Sequence, residues 1–235
     1  MPQSTLPPLR GLSSKATQAL LVQVCAAFEA QTGQAVQIES VGGVDAAKRV
    51  AAGELFEIVL LASDAIDQLI ASAHLAAPRC DWVQSPVAVA VPAGAALPDL
   101  SSAASLKAAL LAAPSISYST GPSGNYLAKL FAQWGMADAM TAKLIVPPPG
   151  TPVGSLVASG QAAIGFQQLS EFLGFSDNGG IQIVGDLPDE CAFITTFSAA
   201  VAAGGQSAAA QGFLAFLNAS QTAAIKARHG MTDTK

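Results

Sequence analysis

The chain has 235 residues, 51% of them apolar and only 11% charged. That much apolar surface offsets the entropy of ordering a polypeptide, so a disordered chain is excluded, and the length allows one large domain or two small α/β lobes. A net charge of −5 argues against nucleic acid, which selects a basic stripe, but leaves open a small anion held locally by amides and hydroxyls.

Taken in chain order, apolar strands alternate with amphipathic helices. Residues 9–12 read as a strand running into Ser13 and Ser14, followed by a helix over 16–32 in which Leu20, Val24 and Phe28 recur at helical spacing before Gly33 stops it. Residues 36–41 form a strand, Gly42-Gly43 a break, 45–52 a helix and 58–61 a buried strand. Ser63 and Asp64 then cap a helix over 65–73. This β-α-β-α-β order implies a parallel sheet. After an irregular stretch over 77–84 come a strand at 85–91, a helix from about 101 to 111 and a strand at 116–118. A hydroxyl-rich loop over 119–125 leads into a helix ending near Trp134. Strands at 144–146, 162–166, 181–184 and 192–201, a helix at 152–159 and closing helices at 207–217 and 221–228 complete the pattern.

No window is long enough for a membrane-spanning helix. The first eight residues lack the basic and apolar regions of a secretory signal. The expectation is a cytoplasmic protein as written, periplasmic if a leader has been removed. Cys25, Cys80 and Cys191 are widely spaced and read as structural thiols. No Cys/His/Asp spacing suggests a metal, no motif suggests a cofactor, and neither His74 nor His229 has partners for a Ser/His/Asp hydrolase.

The polar clusters fall just after strands, where ligands sit in open α/β sheets. Ser13, Ser14 and Lys15 place hydroxyls and open amides at a helix start, read as an anion site or as a simple cap. Gly42 and Gly43, with Asp45 behind them, are read as a close-approach turn or as a capped one. Ser119, Thr120, Ser123, Gly124 and Asn125 combine hydroxyls with glycine, a density that favours a ligand, although the Lys of a phosphate-binding P-loop is missing. Gln167 and Gln168 offer amides at a strand end. Glu171 is either a partner of the helix dipole or a general base.

The order of these elements resembles the molybdate-binding branch of the type 2 periplasmic substrate-binding proteins. The resemblance rests on the serine ending the first strand, the Phe28–Gly33 stretch, Gly42-Gly43, the run from Gly53 to Val59 before Ser63, and Gly160–Phe166. It implies an α/β fold of two lobes, each a mixed, mostly parallel sheet flanked by helices, with a ligand cleft between them. Residues 1–82 with 192–235 form one lobe and 83–191 the other, hinged near 80–85 and 188–195. Where molybdate binders carry a tyrosine near the end of the last of these strands, this chain has Gln167-Gln168. With the Ser119–Gly124 loop, that looks more like a divergent branch of aconitate-isomerase-like proteins.

Two functions follow, with binding of molybdate or another oxyanion for an ABC transporter ranked behind them. The first is a carrier of a small organic anion, a di- or tricarboxylate, with an ABC transporter permease as partner. The second is an isomerase that shifts a double bond in a carboxylic acid, with Glu171 or Asp45 as base.

Overall fold

A computed structural model describes residues 7–148, 150–205 and 207–234. The reading of the first residues as lacking a leader therefore lies outside the described residues for 1–6, as does Pro149 of the proline run. The chain divides into two compact units: one runs to Gln84 and resumes at Thr196, and the other is Ser85–Thr195.

The first unit opens with β1 (Leu9–Ser14), a 3-10 turn at Lys15–Thr17, and α1 (Gln18–Thr32), which Gly33 ends in the left-handed conformation with φ 75°. Then come β2 (Val36–Val41), α2 (Gly43–Ala51), β3 (Ile58–Ala62), α3 (Ser63–Ala71) and β4 (Cys80–Pro92), which carries the chain into the second unit. The second unit continues with α4 (Ala103–Ala112), β5 (Ile116–Tyr118), α5 (Pro122–Gln133), α6 (Ala137–Lys143), α7 (Val153–Ala158), β6 (Ile164–Gln168), α8 (Leu169–Asp177) and β7 (Ile181–Asp186). The chain returns along β8 (Ile194–Val201) and finishes in the first unit with α9 (Ala208–Leu217) and α10 (Ala223–Arg228).

In the first unit the order is β2-β1-β3-β8-β4. β1 pairs in parallel with both β2 and β3, placing Ser13 opposite Ser40 and Leu60, while β8 runs antiparallel to β3. All five residues of β3 are buried, as a central strand covered on both faces requires. One face packs Leu20, Val24, Phe28 and Phe213 around Trp82; the other packs Leu12, Val50, Ile66 and Leu69. In the second unit β6 lies between antiparallel β4 and parallel β5, and β7 also pairs with β4. Its two faces are filled around Phe131 and Phe166, and around Phe172 and Val157.

Several expected boundaries move. Cys80–Gln84, expected to be irregular, begins β4; its polar positions are satisfied from afar, since Asp81 accepts a hydrogen bond from Ser198 at 2.6 Å. The expected strand at 144–146 shrinks to a single bridge from Leu144 to Ile116, and the preceding residues form α6. Prolines 147 and 148 remove the donors a longer ladder needs. Pro122–Asn125, expected in a loop, is the first turn of α5, with Pro122 at a position where its missing N–H costs nothing. Gln167 and Gln168 lie inside β6. Residue Ala62, not Ser63 or Asp64, precedes the first turn of α3.

Candidate functional site

In the first unit the parallel strands β1, β2 and β3 end side by side at Ser14, Val41 and Ala62. Alternation turns the two serines of β1 to opposite faces. Ser13 Oγ is 2.7 Å from Ser40 Oγ and donates to the Ser14 carbonyl at 3.3 Å, so its hydroxyl is engaged inside the sheet. Ser14 is different. It precedes the 3-10 turn yet makes no side-chain capping bond. Its Oγ is buried without a partner, although the residue is only 6% exposed. A buried hydroxyl left unbonded costs about 1–3 kcal/mol.

The space in front of Ser14 belongs to α2. A methyl built on Gly43 would stand 3.5 Å from the Ser14 Cβ, so the Ser14 side chain adjoins the first turn of that helix. The first intrahelical bond there is Ala46 N–H to the Gly42 carbonyl; the amides before it have no carbonyl within the helix, and the dipole favours negative charge. Asp45 is exposed on the same turn, with Oδ2 over Gly42. Ser63 starts α3 at the neighbouring strand end and is half-buried.

In the second unit β5 and β6 are parallel and end at Tyr118 and Gln168. Ser119 Oγ lies 2.8 Å from Ser123 Oγ, which is buried. Gly124 is fixed by crowding: an added Cβ would fall 1.6 Å from the Ser119 carbonyl oxygen. Thr120 and Asn125 are exposed. Burial pushes the Tyr118 phenol up, keeping it a donor well above neutral pH.

The two glutamines of β6 separate cleanly. Gln167 Oε1 accepts from Gly154 N–H at 3.0 Å and its Nε2 donates to Glu171 Oε2 at 2.7 Å, so both ends of its amide are used within the unit. Gln168 Nε2 donates to Thr195 Oγ1 at 2.6 Å, while its Oε1 is buried without a partner.

The structure thus groups Ser14, Gly42, Gly43 and Asp45 in one unit, and Ser119 with Ser123 in the other. Ser13 and Gln167 are absorbed into internal bonds. Lys15 opens the 3-10 turn and is half-buried. Sequence reading passed over Ser40 and Thr195, the partners of Ser13 and Gln168; each sits in a strand, where one more hydroxyl carries no local signal. Among the described residues no three His, Cys, Asp or Glu side chains group as a metal set, and no helix is long and apolar enough to cross a membrane. A groove of about 550 Å³ beside Phe28 and Phe216 uses none of these residues.

A family model described as bacterial extracellular solute-binding protein matches residues 9–232. The chain belongs to that family. An aconitate isomerase from Pseudomonas is 38% identical over 197 residues, which span 81% of this solute-binding protein and 74% of that enzyme. Among solved structures, the periplasmic molybdate-binding protein of Azotobacter vinelandii aligns over 97% of this chain and 100% of its own with a TM-score of 0.78 at 20% identity. The sulfate-binding protein SubI of Mycobacterium tuberculosis aligns over 98% and 88%, with a TM-score of 0.78 at 17% identity. The fold is therefore that of the two-lobed periplasmic-binding-protein type, as its order of elements implied, and a small solute is the family's ligand.

Proposed function

We propose that this solute-binding protein takes a small polycarboxylate as its ligand. The observation that carries the reading is the unpartnered, buried hydroxyl of Ser14, whose side chain adjoins the first turn of α2. A hydroxyl and helix amides replace the water of a carboxylate without a cationic side chain, which suits an acidic protein. The class of ligand is supported by the relative named as an aconitate isomerase. As a carrier it would deliver that ligand to an ABC transporter.

Thermal unfolding with trans-aconitate, citrate, molybdate and sulfate tests this. A bound ligand at a hundredfold excess over Kd adds about 2.7 kcal/mol of stability. The polycarboxylates are expected to raise the midpoint, and Ser14→Ala to weaken them roughly tenfold or more. Ser123→Ala is the matched probe of the second unit. Stabilisation by molybdate or sulfate alone would overturn the reading.

The same relative favours a second reading, isomerisation of the bound acid. A base takes a proton from the carbon next to the double bond, the electrons spread into a dienolate held by hydroxyl and amide donors, and the proton returns at the far carbon. In this reading Asp45, exposed on the first turn of α2, is the base, whereas Glu171 is engaged by Gln167. Exchange of ligand protons in D₂O that Asp45→Asn abolishes and Glu171→Gln retains supports the enzyme. Tight binding with no exchange supports the carrier.

A further inference from the structure

We propose that Asn178 is a self-modification site: its side-chain amide is lost to attack by the peptide nitrogen of Gly179, leaving aspartate or isoaspartate at the end of α8. The site lies within the second unit and is independent of the ligand. Asn178 caps α8 at φ −84° and ψ 3°, and Gly179 follows in the left-handed conformation at φ 70°. The last carbonyls of the helix are taken by Gly179 N–H, which donates to Ser176 at 2.9 Å, and by Gly180 N–H, which donates to Phe175 at 3.1 Å. A left-handed residue in that place is a glycine for steric reasons, so the cap itself sets a residue without a side chain after the asparagine. No atom lies within 4 Å of where a Gly179 Cβ would stand, and both residues are exposed.

In the reaction the Gly179 nitrogen bonds to Asn178 Cγ, the Cγ–Nδ2 bond breaks, and Nδ2 leaves as ammonia with the peptide proton. Water then opens the five-membered imide at either carbonyl, giving aspartate or isoaspartate, and no oxidant or cofactor is consumed. A side chain on the attacking residue hinders this ring closure. Asn125 and Asn218, the other asparagines of the chain, precede Tyr126 and Ala219 and carry that hindrance. Two bonds hold the ring open in the folded chain: Gly179 N–H to Ser176, and Asn178 Nδ2 to the Gly174 carbonyl at 2.8 Å. Both belong to the last turn, where helices fray and open locally. The product changes that turn. A carboxylate cannot donate to Gly174, and it stands next to Asp177 at the negative end of the helix dipole.

Incubation of the full chain for weeks in warm, mildly alkaline buffer, with peptide mapping by mass spectrometry at intervals, tests this. The one-dalton gain is expected at Asn178 at least about tenfold faster than at Asn125 or Asn218, because only Gly179 brings no side chain to the attack. It is expected to be slower in the folded chain than in urea, where no bond of the last turn has to open first. Asn178→Gln lengthens the side chain by one methylene, enlarges the ring that must close, and is expected to stop the reaction. Asn178→Asp is expected to lower the thermal midpoint by about 2–4 °C, as the aged protein does. An Asn178 that stays intact in the folded chain while it converts in urea overturns the proposal. So does conversion at Asn125 or Asn218 as fast as at Asn178.

Discussion

A side chain's position matters here through the bonds it leaves unmade as much as through those it makes. Ser13 and Ser14 are identical neighbours, yet one is tied to Ser40 and the other is buried unbonded. The sequence shows two serines after a strand; the half-turn between them decides their fates. Asp81 illustrates the opposite case, a fully used carboxylate. It accepts from Arg79 Nε at 2.7 Å and from Ser198 at 2.6 Å, and Arg79 also pairs with Asp67. The Arg79 guanidinium, followed by the Ser198 hydroxyl, holds the Asp81 carboxyl below the usual range. A carboxyl depressed in the folded state contributes stability that is present above its ordinary value of about 3.9 and is lost as pH falls through the depressed one. Urea midpoints measured between about pH 7 and 2 are expected to fall steeply at the acid end, and Asp81→Asn to flatten that limb.

Among the elements, α5 shows how a motif that reads as a loop becomes a helix start. The residues Pro122, Ser123 and Gly124 fold into its first turn, with Ser102 and Ser207 capping α4 and α9 in the ordinary way through the amides of Ser105 and Ala210. Gly124 is there because the Ser119 carbonyl occupies the space of a side chain. Gly124→Ala must displace backbone rather than a flexible side chain. It is expected to cost about 1–3 kcal/mol or more, read from chemical denaturation, and to separate Ser119 from Ser123. By contrast Gly43 has room for a methyl, so its glycine is not demanded by packing. The regular elements were legible because hydrophobic period and cap residues are local. The start of β4 was not, because Asp81 and Gln84 are satisfied by residues more than a hundred positions away, Ser198 and Thr196.

At the scale of the whole molecule, the sequence of the first unit is interrupted by that of the second, so the first is completed by the last residues of the chain. Lys226 is the clasp. Its side chain is 1% exposed, and Nζ donates to the Trp82 carbonyl at 2.7 Å and to Asp233 at 2.6 Å, while Thr232 pairs with Gln84 on β4. An ammonium out of water needs both partners. Asp233→Ala is expected to lower the unfolding free energy by about 1–3 kcal/mol, with a lower thermal midpoint. Replacing both residues, Lys226→Met with Asp233→Ala, is expected to recover part of the loss, since no buried charge is then left unpaired.

Composition, hydrophobic period and the placing of serine and glycine after strands were sufficient for the α/β class, for most of the elements and for the resemblance to two-lobed binding proteins. These are properties of neighbours along the chain, where each turn of helix or pleat of strand repeats within a few residues. Which hydroxyl and which glutamine keep an unmade bond was decided only by tertiary structure. Ser40, Gly154 and Thr195 lie 27, 13 and 27 residues from the groups they satisfy, and hydrogen-bond capacity is used up by whatever the fold brings within 3 Å, not by what adjoins it in sequence.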